Sequence, residues 1–190
     1  RQQIYQARVA GLAAPWTDDP VLGDHRFTNC YRASDRVSQF VIRDIAYAFD
    51  QHPAEIVFRI VLFKLFNRID TWRLLVDEVG TPCLASFDPQ RYGDVLDDAF
   101  AQGTRLYSAA YVMPAPPFGE IRKHRNHLRL LEHMVSDGLA DKLTAAGSMR
   151  EAFQIIKAYP GMGDFLAFQF LIDINYSTAL NFSEMDYVVA

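Results

Sequence analysis

Apolar residues along this chain recur mostly three and four positions apart and seldom at alternate positions, a pattern that predicts helices and almost no strand. Phe27 to Asp50 reads as one helix, ended at the His52-Pro53 step, where Pro53 suits the first position of the next helix. Glu55 to Val79 reads as a second, very apolar helix closed by Gly80 and Pro82. A helix hydrophobic on nearly every side belongs in the middle of a fold. Asp88-Pro89 supplies the cap and first residue of a third helix, which reaches about Gly103. Leu106 to Met113 is short and rich in small residues, and Pro114-Ala115-Pro116-Pro117-Phe118-Gly119 is a clear loop. Helical periodicity resumes from Glu120 to Leu143. Ser148-Met149-Arg150-Glu151 then has the spacing of a capping box, opening a helix that stops at Pro160-Gly161. A last helix runs from about Asp164 to Asn175. No repeat, low-complexity tract or linker divides the chain, so the expectation is an all-α protein, one helical unit over residues 1–190.

Composition narrows this picture. A chain of 190 residues, half of them hydrophobic, with 14 Phe and 9 Tyr, has enough apolar surface for its own core. A domain of this size buries roughly 70% of the surface its unfolded chain exposes, so it needs no metal or disulfide staple. The two cysteines, Cys30 and Cys83, do not make a disulfide framework, and a reducing compartment is expected. The longest apolar run, Ile56 to Phe66, is interrupted by Arg59 and Lys64 and falls short of the roughly 20 residues that span a bilayer. The polar opening Arg1-Gln2-Gln3-Ile4-Tyr5 is not that of a signal peptide. The expected location is the cytoplasm, or the nucleus if the cell is eukaryotic. A net charge of −4 argues against general nucleic-acid binding but leaves room for a local basic face.

The segment Ala158-Tyr159-Pro160-Gly161-Met162-Gly163-Asp164-Phe165-Leu166-Ala167 places two glycines around one apolar residue, between a short helix and an apolar one. Glycines admit close backbone approach, and a helix start presents unpaired N–H groups to a phosphate. The segment resembles the helix-hairpin-helix of DNA base-excision glycosylases, which would put Gly161, Met162 and Gly163 against a DNA backbone. A plain C-cap is an equally good reading of the pattern. In that superfamily a catalytic Asp follows by about one helix and a turn, which points to Asp186, with Glu184 second. Phe165 stands where some of these enzymes carry a Lys, so a Schiff base from that position is not expected.

Other polar residues sit at suggestive spacings. Thr28, Arg32, Asp35 and Gln39 would share one helical face, overlapped by Asn29, Arg32 and Arg36. Such a row either lines a polar pocket, with Arg32 on a phosphate or carbonyl oxygen and Asp35 orienting it, or is a solvated face with local ion pairs. The solvated face is the commoner meaning. On the apolar second helix, Lys64, Asn67 and Thr71 lie on one side; if Arg59 and Lys64 are buried they need partners, Asp35 or Asp186 being the natural ones. Arg122, Lys123, Arg125 and Arg129, interleaved with His124, His127 and His133, form the one basic cluster and the expected DNA-backbone contact. His124 and His127 lack a third ligand at a compelling spacing, so no metal is expected, nor any other cofactor. His127 is equally suited to be a pocket acid or base. Tyr107, Tyr111 and Phe118 are either base-stacking residues or, more commonly at such spacings, core.

Several runs together resemble one family: Pro15-Trp16-Thr17-Asp18-Asp19-Pro20, Arg26 to Arg36, Leu62-Phe63-Lys64-Leu65-Phe66-Asn67, Arg122 to Leu128, Tyr159 to Ala167, Asp173 to Ser177 and Phe182 to Ala190. They are similar to the helical domain of phage-type thymine-hypermodification proteins, labelled alpha-glutamyl/putrescinyl thymine pyrophosphorylase, amino acid:DNA transferase or 5-hydroxymethyluracil DNA kinase helical domain. The resemblance implies a glycosylase-like fold acting on a flipped 5-substituted uracil in DNA. The residues expected to contact substrate are Asn29, Arg36, Gln39, Asn67, His127, Asp173, Asn175 and Tyr176. In the transferase branch an amine displaces a (pyro)phosphate from the 5-methylene of the base. Arg32 and Lys64 would then hold phosphate charge, and Asp35 or Asp186 would accept the amine proton. In an excision reaction Asp186 would stabilise the sugar cation or activate water. In the kinase branch the domain accompanies a P-loop kinase, and this chain has no Gly-x-x-x-x-Gly-Lys-Ser/Thr run of its own. It would then be a DNA-recognition partner. The family pattern continues past Ala190 with a Gly-rich stretch, implying a domain cut short at that end. A helical protein-interaction domain is the remaining alternative.

Overall fold

The computed structural model describes residues 2–25, 31–109 and 112–189. The expectations for Thr28, Asn29 and Tyr111 lie outside these residues. The chain is all-α, and the described residues contain no strand. Contacts group it into two compact units, Arg1–Asp35 and Arg36–Ala190.

The first unit holds α1 (Gln2–Val9) and α2 (Pro20–Asp24). Asp19 starts α2, its carboxylate accepting the N–H groups of Val21 and Leu22 at 2.8 and 3.2 Å, with Pro20 at the first position. The Trp16 indole donates to the Leu12 carbonyl at 2.7 Å and lies under the Arg8 guanidinium. A 3-10 turn, Arg32–Ser34, ends the unit.

The second unit is built on α4 (Pro53–Phe66), whose residues from Ile56 to Phe66 are all buried. Around it pack α3 (Arg36–Phe40) with the π-helical turn Val41–Ala46 that extends it, α5 (Ile69–Val79), α7 (Lys123–Ser136), α8 (Leu139–Ala145) and α10 (Asp164–Asn175). Two further helices form an outer layer: α6 (Pro89–Ala101) packs on α5 and α7, and α9 (Met149–Lys157) on α8 and α10. Neighbours on every side explain why α4 carries no polar stripe. Each fully buried Leu, Ile or Phe contributes about 1.5–3 kcal/mol of transfer free energy.

Two expected helices are divided. The apolar run from Glu55 to Val79 breaks at Asn67, which takes a left-handed conformation (φ 49°) and caps α4. Asn is among the few residues that adopt this conformation readily. The run from Glu120 to Leu143 breaks at Gly138 (φ 71°), between α7 and α8. The expected helix from Phe27 to Asp50 is, where described, the 3-10 turn, an extended Asp35, then α3 and its π turn. One residue per turn of extra winding there brings the Ile45 carbonyl to the buried Arg59, whose Nε donates to it at 3.3 Å. By contrast α6 starts on Asp88 and Pro89 as expected, and Ser148 caps α9 by accepting the Glu151 N–H at 3.2 Å. The Glu151 carboxylate accepts from Gly147 N–H at 2.8 Å, closing the box one residue outside the cap.

Candidate functional site

The joint between α4 and α5 gathers polar groups inside an apolar surround. Lys64 lies in the last turn of α4 and Asp173 in the last turn of α10, so the crossing of these two helices brings them together. Lys64 Nζ sits 2.7 Å from Asp173 Oδ2, the side chains being 3% and 2% exposed. It also donates to Asn67 Oδ1 at 3.2 Å, using the residue that ends α4. A buried ion pair holds its geometry because either charge alone would be costly. The expected partners of the buried cations are thereby corrected. Lys64 pairs with Asp173 rather than with Asp186, which lies exposed on a turn. Arg59 takes Glu55, 3.6 Å away and one helical turn back, a spacing at which side chains on one helix face meet. Glu55 also accepts the Leu84 N–H, at 3.1 and 3.2 Å.

Beside this joint, segment 105–108 is tied to α4 and α5: the Ser108 N–H donates to the Phe66 carbonyl at 3.0 Å, and the Thr71 hydroxyl to the Leu106 carbonyl at 2.7 Å. This places the Tyr107 ring against Phe66 and His127, with Lys123 Nζ 4.2 Å from the ring centre. His127 is fully buried; its Nδ1 lies 2.8 Å from the Tyr107 hydroxyl and its Nε2 2.9 Å from the Pro114 carbonyl. A carbonyl can only accept, so Nε2 carries the proton and Nδ1 accepts from the phenol. Burial pushes His127 down to about 4, helped by Lys123 and His124 and opposed by the Pro114 carbonyl. Burial also raises the Tyr107 phenol and lowers Lys123. The imidazole is held neutral.

The basic helix α7 faces an acidic one. Arg125 reaches Asp94 and Asp97 on α6, and Gly93 makes room for it: a Cβ there would lie 2.5 Å from Arg125 Nη1. His124 Nε2 is 2.6 Å from Asp97 Oδ1. Burial acts most strongly on Asp97 and raises it, but Arg125 and His124 together hold it below the ordinary carboxylate range. Arg129 lies between Glu120 and Glu132. The sequence pattern of α7 alone does not reveal this neutralisation, because α6 and α7 are more than twenty residues apart. Arg122 remains half-exposed, 3.9 Å from Asp97 and stacked over Phe100.

In the hairpin, Gly161 adopts φ 79°, and the Met162 N–H closes the turn on the Tyr159 carbonyl at 3.1 Å. Met162 is buried, so the hairpin's apolar residue anchors it to the core, while Gly161 and Gly163 are exposed. Gly163 caps α10 in an extended conformation, and Asp164 in the first turn pairs with Lys157. Past α10, the Asn175 amide spans the Phe182 backbone, donating to its carbonyl and accepting its N–H, both at 2.9 Å. Asn175 therefore fixes the returning chain. Tyr176 caps α10, and Glu184 and Asp186 sit exposed on the turn that follows Ser183.

Of the expected polar row, Arg32 lies in the 3-10 turn and Asp35 in extended backbone, so the helical-face argument does not carry across them to Gln39. Arg36 and Asn67 come to one cavity, in company with Arg68 and Arg105, which sequence reasoning missed. Neither arginine has a local signature: Arg68 is the residue just before α5, and Arg105 opens the segment tied to α4 and α5. Phe118 and Tyr107 are half-buried in ring clusters, Phe118 against His133. Among the described residues no three His, Cys, Asp or Glu side chains converge as a metal site would require. No helix of the described residues is long and apolar enough to cross a membrane.

An all-α protein with a buried Lys–Asp pair and a hairpin whose two glycines are exposed is the class that fold and site define. The chain matches the family described as 5-hmdU DNA kinase, helical domain, over residues 1–190, and it belongs to that family. A 5-hmdU DNA kinase of Bacillus phage SP10 is 26% identical over 189 residues, covering 92% of this chain and 29% of that protein. The chain thus spans less than a third of the length of this relative. No solved structure matches it.

Proposed function

We propose that this helical domain binds DNA containing 5-hydroxymethyluracil and holds the modified base out of the duplex for a P-loop kinase that phosphorylates it. The observation carrying this reading is membership of the 5-hmdU DNA kinase helical-domain family over residues 1–190. Residues 1–190 are taken as the domain, and DNA with a modified pyrimidine and the kinase as its partners. Arg122 and Lys123, with the hairpin Gly161-Met162-Gly163, supply the backbone contacts, Arg125 being committed to α6. Extrusion costs a few kcal/mol, which binding of the 5-substituent must repay.

A second reading is amine transfer. The amine nitrogen bonds to the 5-methylene carbon, the carbon–oxygen bond to a (pyro)phosphate breaks, and Asp186 takes the amine proton. Its exposed position, on a turn that Asn175 ties to α10, favours access. Lys64, whose ammonium is already neutralised by Asp173, is the weaker candidate for phosphate charge.

The test is nucleoside mass spectrometry, alongside binding isotherms, on matched DNAs carrying thymine, 5-hydroxymethyluracil or its phosphorylated form, with and without amino acids. Presentation predicts unaltered nucleosides and preferential binding of hydroxymethyluracil DNA. It also predicts that Arg122→Glu and Lys123→Glu lower the salt slope by about one each. A new adduct replaces presentation by transfer, and a released base replaces it by glycosylase-type excision. Equal affinity for thymine DNA with no chemistry overturns all three.

A further inference from the structure

We infer that the cavity at the α4–α5 joint is a phosphate site, shaped for a phosphomonoester dianion. The cavity, about 260 Å³, is lined by Arg36, Asn67, Arg68, Asp70, Arg105 and Ser108, among others. Three guanidiniums against one carboxylate leave two positive charges, 3 − 1 = 2. A phosphomonoester carries about −1.5 to −2 near neutral pH, and planar guanidiniums match its oxygens in paired hydrogen bonds.

The arginines are not spent on one another's neighbourhood. Arg36 enters no ion pair among the described residues. Arg105 uses its Nε on the Tyr107 carbonyl at 3.1 Å and meets no carboxylate there. Arg68 gives one terminal nitrogen to Asp70 at 2.6 Å, while its Nε is buried without an acceptor, the only such side-chain atom among the described residues. A buried charged donor left unpaired is costly, and an acceptor oxygen relieves it. Asp70 opposes an anion, but its charge is already directed onto Arg68. Two of the lining residues are held by the fold: Lys64 donates to the Asn67 side chain, and the Ser108 N–H to the Phe66 carbonyl. Arg36, Arg68 and Arg105 come from three separate stretches of chain, so their meeting is a property of the fold rather than of one basic run.

The inference stands apart from the base-presentation reading, because free phosphate is the probe. Amide chemical shifts of the 190-residue chain are followed during titration with inorganic phosphate, methyl phosphate and dimethyl phosphate at fixed ionic strength. The expected result is saturable binding of inorganic and methyl phosphate, with shifts centred on Arg36, Asn67, Arg68 and Ser108. Arg36→Gln and Arg105→Gln, both exposed and so compatible with folding, each weaken binding about tenfold, the loss of one charge-assisted contact. The monoanionic dimethyl phosphate binds about tenfold more weakly than methyl phosphate. Unsaturated or scattered shifts, or binding unchanged in both variants, overturn the site. Equal affinity for the two esters overturns the monoester assignment in favour of a DNA-backbone phosphate.

Discussion

His127 makes the folding stability of this protein dependent on pH in a calculable way. The imidazole is fully buried, donates through Nε2 to the Pro114 carbonyl and accepts the Tyr107 hydroxyl at Nδ1. Its folded value of about 4 lies below the ordinary 6.5, chiefly through burial. A lowered histidine means that the unfolded chain binds the proton more readily, so stability falls as pH drops through 6.5 and keeps falling to about 4. Linkage gives a loss of about 2 kcal/mol at pH 5 and about 3 kcal/mol at pH 4, relative to pH above 7. Carboxylates also titrate in this range, so the quantity to measure is a difference. Urea unfolding of the native chain and of His127→Gln at pH 7.5, 6, 5 and 4 isolates it, since glutamine keeps a donor and an acceptor but does not titrate. The variant is less stable at pH 7.5 through imperfect packing, and the gap closes by about 3 kcal/mol at pH 4. A gap constant with pH would refute the claim that His127 is buried and neutral.

Three further perturbations follow from contacts elsewhere in the fold. Glu55→Gln removes the carboxylate facing the 1%-exposed Arg59; unfolding free energy drops by about 2–3 kcal/mol, and Glu55→Asp restores little because the shorter side chain misses the Leu84 N–H. Ser148→Ala deletes the α9 cap and costs about 1 kcal/mol, read as a fall in thermal midpoint. Gly161→Ala meets Pro116 only at ordinary contact distance, 3.5 Å, so its cost is the backbone strain of a left-handed alanine, about 1–2 kcal/mol; a larger loss would mean that the hairpin packs more tightly than described.

What could be read in advance depended on local chemistry. The starts of α6, α9 and α10 are written in Asp88-Pro89, Ser148 and Gly163, residues that suit a helix start by their own local chemistry. The break at Asn67 was not legible, because apolar periodicity runs straight through it and Asn carries a weaker signal than Gly. Nor was the π turn, since winding one extra residue leaves no mark in composition. At the site, Lys64 and Asp173 were both legible as polar residues in apolar helices, but their pairing depends on how α4 and α10 cross. The basic run on α7 was plain, and its neutralisation by Asp94 and Asp97 belongs to α6. Spacing reports faces within an element; partners across elements are set by packing.

Because α4 touches the π turn, α5, α7, α8 and α10 at once, none of these neighbours can detach without uncovering part of the same helix. Opening at segment 105–108 therefore exposes α4 from one side only, while complete exposure demands that every layer leave together. The α4 amides should exchange with solvent deuterium only through global unfolding, at one common free energy, whereas those of α9 and α6 in the outer layer also exchange through smaller openings. A ligand that braces the α4–α5 joint would thus slow exchange in helices it never touches, simply by weighting the closed population.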